Sequence, residues 1–415
     1  MLSALEIHTV FGVINNNIMN ASIISLPEVT SKNVLINCSN LHGGGGVAVA
    51  ASFIDALSKL QYSNINIYLL ISSDVKRNLS GLGTDINVFE GCDVKDYYGL
   101  DAIWRGLSWH FRNADIIFTV FGPAYFVFSN KYHIFGFAQP NIIYPSNPIS
   151  NNLKFFDRIK LKFKYKIQEY FYSKADSIIV ELEHVKKRLE ALGSFSTLPI
   201  HIVYSSVHSV YKQPNHWTAL NLPNQVSWTL TRGDISLKFG VISKNYPHKN
   251  LKILTLVKKS LRLNYNINAD FYVTFTQYEW SNCSEEFKAE IINVGEIVLS
   301  QCPTFYSLMD GVVFPTLLEC FSAVPIETMM VKKPLFGSDL SFIRDVCGGC
   351  CNYFDPLDAN DIARAIFEYF SQSAVEQHLW VNSAYEHVKK FPGSEERAKN
   401  YMAIINHVLS NSLEN

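Results

Sequence analysis

The sequence predicts an α/β protein with two parallel sheets, each covered by helices on both faces, and three observations predict it. Short, near-continuous apolar runs alternate with segments of helical period along most of the chain, the pattern of parallel strands buried on both sides. The alternation is interrupted between Tyr211 and Gly233, where Pro214 and Pro223 stand among polar residues without a clear period. A length of 415 residues, 48% hydrophobic and 18% charged, suffices for two or three domains with cores of their own.

Residues 1–32 read as an N-terminal extension, an added helix or an overextended start. They are apolar only in patches, carry Glu6 and His8, and lack a basic leading region. Neither they nor any later run approaches the roughly 20 apolar residues needed to span a bilayer. Asn33 opens the first strand, which runs into four glycines, Gly43 to Gly46, and then a helix over 47–60. Strands follow at 65–71, 85–89, 115–120 and 133–137, with a helix over 101–111 between the second and third of these. After a loop with Pro140, Pro145 and Pro148 come a helix over 153–173, a strand at 177–180, a helix over 184–192 and a strand at 200–204. This half is a domain over 33–210, and 211–235 is the linker. A second domain over 236–390 has strands at 237–242, 270–274, 291–294, 311–314, 334–337 and 352–354. Helical segments cover 358–410, the last of them within a C-terminal helix over 391–415.

The net charge of −1 excludes a globally basic nucleic-acid binder. Eight cysteines are scattered without a framework. Cys347, Cys350 and Cys351 could be half a metal site, but a structural zinc needs four ligands and no second pair has suitable spacing. Reduced thiols in a cytoplasmic enzyme are the expectation.

The most informative stretch is Pro315-Thr-Leu-Leu-Glu319-Cys-Phe-Ser-Ala-Val-Pro-Ile-Glu327. It sets two carboxylates where the apolar strand ending at Phe314 gives way to a helix-like segment. The carboxyl end of a parallel strand beside a helix N-terminus is where open α/β sheets bind ligands, anions in particular. Upstream, the strand Lys238-Phe-Gly-Val-Ile-Ser-Lys244 is followed by Lys249, so two cations stand at a second strand end. The four-glycine loop stands at a third.

These three elements, in this order, resemble the retaining glycosyltransferases of family 4, of the bacterial surface-polysaccharide type, from about Asn33 to the C-terminus. The resemblance implies the GT-B fold: two Rossmann-like domains facing across a cleft, with the C-terminal helix crossing back to the first. It implies that Lys249 contacts the diphosphate of a nucleotide-sugar, and that Lys244 stands where the family commonly has Arg, giving a point charge in place of a bidentate fork. Glu319 would lie against the donor sugar and Glu327 would bind the ribose. Phe321 and Ser322 would offer backbone N–H groups to phosphate, Gly45 and Gly46 would close on the donor from the first domain, and Gly295 would border the base pocket. Cys320 and Ser322 replace glycines of the commoner form, Phe121-Gly-Pro-Ala-Tyr125 lacks the His many members carry, and Ser205-Ser206 replaces Asn-Gly. No Asp-x-Asp triplet occurs, so neither a divalent metal nor another cofactor is expected.

Between Leu153 and Ser173, Phe156, Ile159, Phe163, Ile167 and Tyr170 recur at three- and four-residue steps, flanked by Lys162 and Lys166 on one side and Lys160 and Lys164 on the other. An apolar stripe between cations suits a helix on an anionic lipid surface, and equally a helix packed on a core with solvated flanks. On the first reading the acceptor is a glycan on a polyprenyl carrier at the inner face of the cytoplasmic membrane, as in O-antigen or capsule assembly. Two other functions are compatible with the motifs: a GT-B-like sugar-nucleotide epimerase or hydrolase, and a non-catalytic assembly partner at the membrane surface.

Overall fold

The computed structural model describes residues 31–126, 130–206, 208–223 and 235–411. Most of the expected N-terminal extension and half of the linker lie outside those residues.

The first half builds a seven-stranded parallel sheet from β1 (Lys32–Cys38), β2 (Ile65–Ile71), β3 (Gly91–Val94), β4 (Ile116–Thr119), β5 (Tyr132–Gly136), β6 (Ser177–Val180) and β7 (Ile200–Ile202). Their order is β3-β2-β1-β4-β5-β6-β7. Val34 of β1 is in register with Ile67 on one side and Ile116 on the other. Side chains alternate across the sheet as the pleat requires. Leu35, Ile117, Phe135 and Ile178 join one core, and Val34, Ile36, Phe118 and Ile134 join another.

The second half contributes β8 (Ile235–Val241), β9 (Ile267–Val273), β10 (Ile291–Asn293), β11 (Gly311–Phe314), β12 (Leu335–Ser338) and β13 (Asn352–Phe354). They form a six-stranded sheet, β10-β9-β8-β11-β12-β13, again parallel throughout. The order turns outward in both directions from β8 and β11, the topology whose central strand ends leave a crevice for ligands.

The helix Ser394–Asn411 follows the second sheet in the chain but packs on the first, against the helix Gly44–Leu57. Tyr401 meets the Phe53 ring edge-on at 4.9 Å and the Phe118 ring at 5.1 Å, so the end of the chain completes the core of the beginning. The two halves also touch where Asp345 accepts hydrogen bonds from the His184 backbone N–H (2.7 Å) and ring Nδ1 (2.9 Å).

Two expected elements differ. The strand at 85–89 is a short 3₁₀ turn, Ile86–Val88, held by the Asp85 carboxylate accepting from the Asn87 N–H at 3.0 Å, and the edge strand starts later at Gly91. The helix over 101–111 is broken into Asp101–Trp104 and a 3₁₀ turn Leu107–Phe111, because Gly106 adopts φ 78° between them. The linker begins with two further 3₁₀ turns and is pinned to the second domain by Thr218, whose N–H donates to Ser300 O at 3.0 Å.

Candidate active site

The loops leaving β8 and β11 are stitched together. The turn Pro247–Lys249 is closed by Asn250 in the left-handed region (φ 53°), whose side-chain amide donates to Pro356 O at 2.7 Å. The His248 carbonyl accepts from Leu317 N at 2.7 Å and from the Thr316 hydroxyl at 3.1 Å. This arrangement sets Lys249 against Glu319 in a short hydrogen-bonded ion pair. Both side chains are only 15% exposed, and the ammonium also lies 5.3 Å from the centre of the Phe314 ring. His248 Nε2 stands 3.6 Å from the same Glu319 oxygen. Burial by itself would raise the Glu319 carboxyl, but the Lys249 ammonium and His248 outweigh it and hold the group below its usual value.

Glu327 opens the short helix Val324–Met330 and accepts a hydrogen bond from the Tyr306 hydroxyl at 3.3 Å. Tyr211, buried, reaches it from the linker turn Ser209–Lys212. Burial pushes the Glu327 carboxyl up to about 7, with Tyr306 and Tyr211 pulling the other way. The two carboxylates of the motif therefore sit in opposite electrostatic settings. Between them, Ser322 is buried and Phe321 partly so, in a loop that stays non-helical until Val324.

Lys244 turns elsewhere, 3.5 Å from Glu296 and 3.9 Å from Glu279. That places it beside the loop of Gly295, which adopts φ 87° and whose N–H donates to the Asn293 side chain at 3.2 Å. Asn293 also accepts from Phe275 N (2.9 Å) and donates to Phe275 O (3.1 Å), fastening the ends of β9 and β10 together.

Gly45 and Gly46 form the first turn of the helix Gly44–Leu57, following the carboxyl end of β1. No heavy atom lies within 4 Å of where a Gly45 Cβ would be, so this backbone is open to an approaching group. The first domain also comes close to the Glu319 loop: after burial, the charge of Glu181, just past β6, is the largest influence raising the Cys320 thiol. Glu181 is itself buried, and desolvation lifts its carboxyl to about 7 although Ser205 and Arg397 oppose it. Arg397, 1% exposed on the last helix, donates to Ser205 Oγ (3.4 Å) and Val49 O (3.2 Å).

His248, Tyr306, Tyr211 and Glu181 were not singled out from the sequence. His248 carried a signal, since it lies within the Lys244–Lys249 spacing. The others meet the site only through folding. Among the described residues, no group of three or more His, Cys, Asp or Glu side chains could hold a metal ion, and all eight cysteines are free.

The helix Phe155–Tyr172 is anchored by buried Phe171 and Tyr172 and by Tyr165, whose hydroxyl accepts from Asn141 at 3.0 Å. Its apolar stripe mostly faces outward: Phe156 is 76% and Phe163 68% exposed, Ile159 and Tyr170 are exposed, and Ile167 alone of the five packs on the core. The core-packing alternative therefore fails for four of the five stripe residues. Among the described residues no helix is long and apolar enough to cross a membrane.

No protein-family profile matches the chain. Over 170 residues it is 23% identical to the O-antigen chain mannosyltransferase RfbU of Salmonella typhimurium strain LT2, a match covering 40% of this chain and 42% of that protein. The match thus spans about two fifths of the curated relative. Among solved structures, sucrose-phosphate synthase from Thermosynechococcus elongatus superposes with a TM-score of 0.62 at 13% identity, covering 92% of this chain and 100% of that one. Anabaena HepE, in complex with UDP and glucose, gives 0.63 at 10% identity over 91% and 100%. A glycosyltransferase from Rickettsia africae gives 0.61 at 13% over 92% and 99%. At these identities the likeness defines the fold, and the fold is GT-B.

Proposed function

We propose that the chain is a glycosyltransferase that moves a sugar from a nucleotide-sugar to a hydroxyl of a glycan acceptor, with retention of anomeric configuration, in cell-surface polysaccharide biosynthesis. The observation that carries this reading is the largely buried Lys249–Glu319 pair, with His248 beside it, at the carboxyl ends of the two central strands of a GT-B sheet. Lys249 has three N–H donors and uses one on Glu319. The others are available to the donor diphosphate as charge develops on it, the kind of preorganised stabilisation that lowers such barriers most. The acceptor oxygen would bond to the anomeric carbon on the face the diphosphate leaves, and the hydroxyl proton would pass to the departing phosphate oxygen. Glu319 would hold Lys249 and meet the sugar, Glu327 the ribose, and Lys244 and the Gly295 loop the nucleotide's far end. Gly45, Gly46 and the N–H groups of Phe321 and Ser322 would complete the donor cradle.

The ligands and names of these relatives support a nucleotide-sugar donor: UDP with glucose in HepE, and an O-antigen mannosyltransferase among curated sequences. The outward stripe of the Phe155–Tyr172 helix supports a lipid-linked acceptor at the inner face of the cytoplasmic membrane. A panel of UDP-, GDP- and dTDP-sugars, screened for binding by saturation-transfer NMR and then for transfer to a lipid-linked glycan, tests the reading. One donor should bind and give an elongated product. Donor turnover to free sugar or an epimer at the same rate with and without acceptor would replace transfer by hydrolysis or epimerisation.

A further inference from the structure

The segment after β3 carries a second outward apolar patch. Trp104 is 89% exposed, Trp109 63%, and Tyr98 and Leu100 are exposed beside them. The same segment is fixed from below by Ala102, Leu107 and Phe111, which are buried. Those anchors lie on the same face of the first sheet as the Phe155–Tyr172 helix. Phe111 meets Phe126 at 5.9 Å, Phe126 meets Phe135 of β5 at 6.4 Å, and Phe135 meets Tyr172 at 6.2 Å. The opposite face is occupied by Gly44–Leu57, Ser73–Leu82 and the last helix. Two elements of one layer thus turn apolar side chains away from the same sheet.

The charge of the helix selects the occupant. The helix carries Arg158, Lys160, Lys162, Lys164 and Lys166 against Asp157 and Glu169, whereas the whole chain has a net charge of −1. In the aromatic segment Arg112 lies 3.4 Å over the Trp109 ring, whereas Arg105 is paired with Asp101 at 3.4 Å, so this segment adds aromatic area and the helix supplies the charge. Exposed Trp and Tyr next to cations match the headgroup level of a bilayer, where amphipathic rings and basic side chains both find partners.

We propose that residues 98–109 are a second lipid-contacting element, which with the Phe155–Tyr172 helix seats the first domain on an anionic phospholipid surface at two points. The inference rests on the proposed lipid-linked acceptor, since two contacts fix the tilt of the cleft over the bilayer where one helix would leave it free to roll. Neither Leu100 nor Trp104 is among the residues assigned to the donor, and both side chains are exposed, so their substitution should leave donor chemistry intact.

The test uses the full chain and vesicles of phosphatidylcholine with phosphatidylglycerol in equal parts. Leu100→Ser with Trp104→Ser should lower co-sedimentation at least about tenfold, and brominated lipid should quench wild-type fluorescence more than that of Trp104→Phe. Transfer to a short water-soluble acceptor should be unchanged in both variants; its absence in the wild type would instead defeat the proposed reaction. Wild-type partitioning by the double-Ser variant would overturn the second contact while leaving the helix as the sole anchor. A wild type that ignores the vesicles and forms a dimer split by the double-Ser variant would also overturn it, assigning the patch to a second copy of the chain.

Discussion

Lys249 and Glu319 are 70 residues apart in the chain and share one proton-mediated contact in the fold. Each partner, left alone, is a buried charge without its counterion, so removing either does more than delete a contact. Lys249→Ala and Glu319→Ala should each lower transfer at least about 100-fold, with far-ultraviolet circular dichroism unchanged; near-normal transfer by both would sink the assignment. On the proposed assignment diphosphate charge falls to Lys249 and backbone N–H groups, so transfer should persist in excess EDTA. Loss on chelation with recovery in manganese or magnesium would transfer that role to an ion.

Glu181 gives a pH signature independent of activity. Its folded carboxyl titrates at about 7, above the ordinary 4.5, so between those values the folded chain holds a proton that the unfolded chain releases. Its contribution therefore makes stability fall as pH rises through this window, by about 3 kcal/mol in all at 1.36 kcal/mol per pKa unit. Glu181→Gln should flatten that part of the denaturation profile between about pH 4.5 and 7; an unaltered slope would show the group already ionised. Residue types at the candidate site could be picked out in the sequence, because strand ends and their loops are local. Their pairings were not: Tyr306 reaches Glu327 from 21 residues away, and no spacing rule anticipates such a contact.

At the scale of elements, the strands buried on both faces were the most legible, since an uninterrupted apolar run admits few alternatives. The errors fell where a polar cap or a glycine overruled the pattern, at Asp85 and Gly106. Helical period located the Phe155–Tyr172 stripe without telling which way it points. Only the packing of Tyr165 and Tyr172 on the opposite side, with Phe171 at its margin, decides that. Changing Lys160, Lys162, Lys164 and Lys166 together to Glu should release the protein from anionic vesicles, each cation near such a surface contributing about 1 kcal/mol. Activity on a soluble acceptor should remain. Unchanged vesicle binding would separate the stripe from the membrane.

For the whole molecule, the division into two halves was legible from the break in rhythm near Pro214 and Pro223. The return of the last helix came from resemblance, because nothing in its composition names its partner. Arg397 makes that return specific: it is buried, donates to Ser205 and Val49, and its charge opposes the rise of the Glu181 carboxyl. Arg397→Ala should cost about 3 kcal/mol in chemical denaturation, the scale of losing two hydrogen bonds from a buried charged side chain and its packing. A loss below about 1 kcal/mol would make the arginine incidental to the docking.

That return also imposes a schedule on synthesis. Arg397 follows its acceptor Val49 by 348 residues, which at about 10 residues per second amounts to roughly half a minute of translation. Throughout that interval Phe53 and Phe118 lack the ring of Tyr401 that will cover them. The nascent first domain therefore waits with an open hydrophobic seam, a stretch of time in which a ribosome-bound chaperone has something to hold.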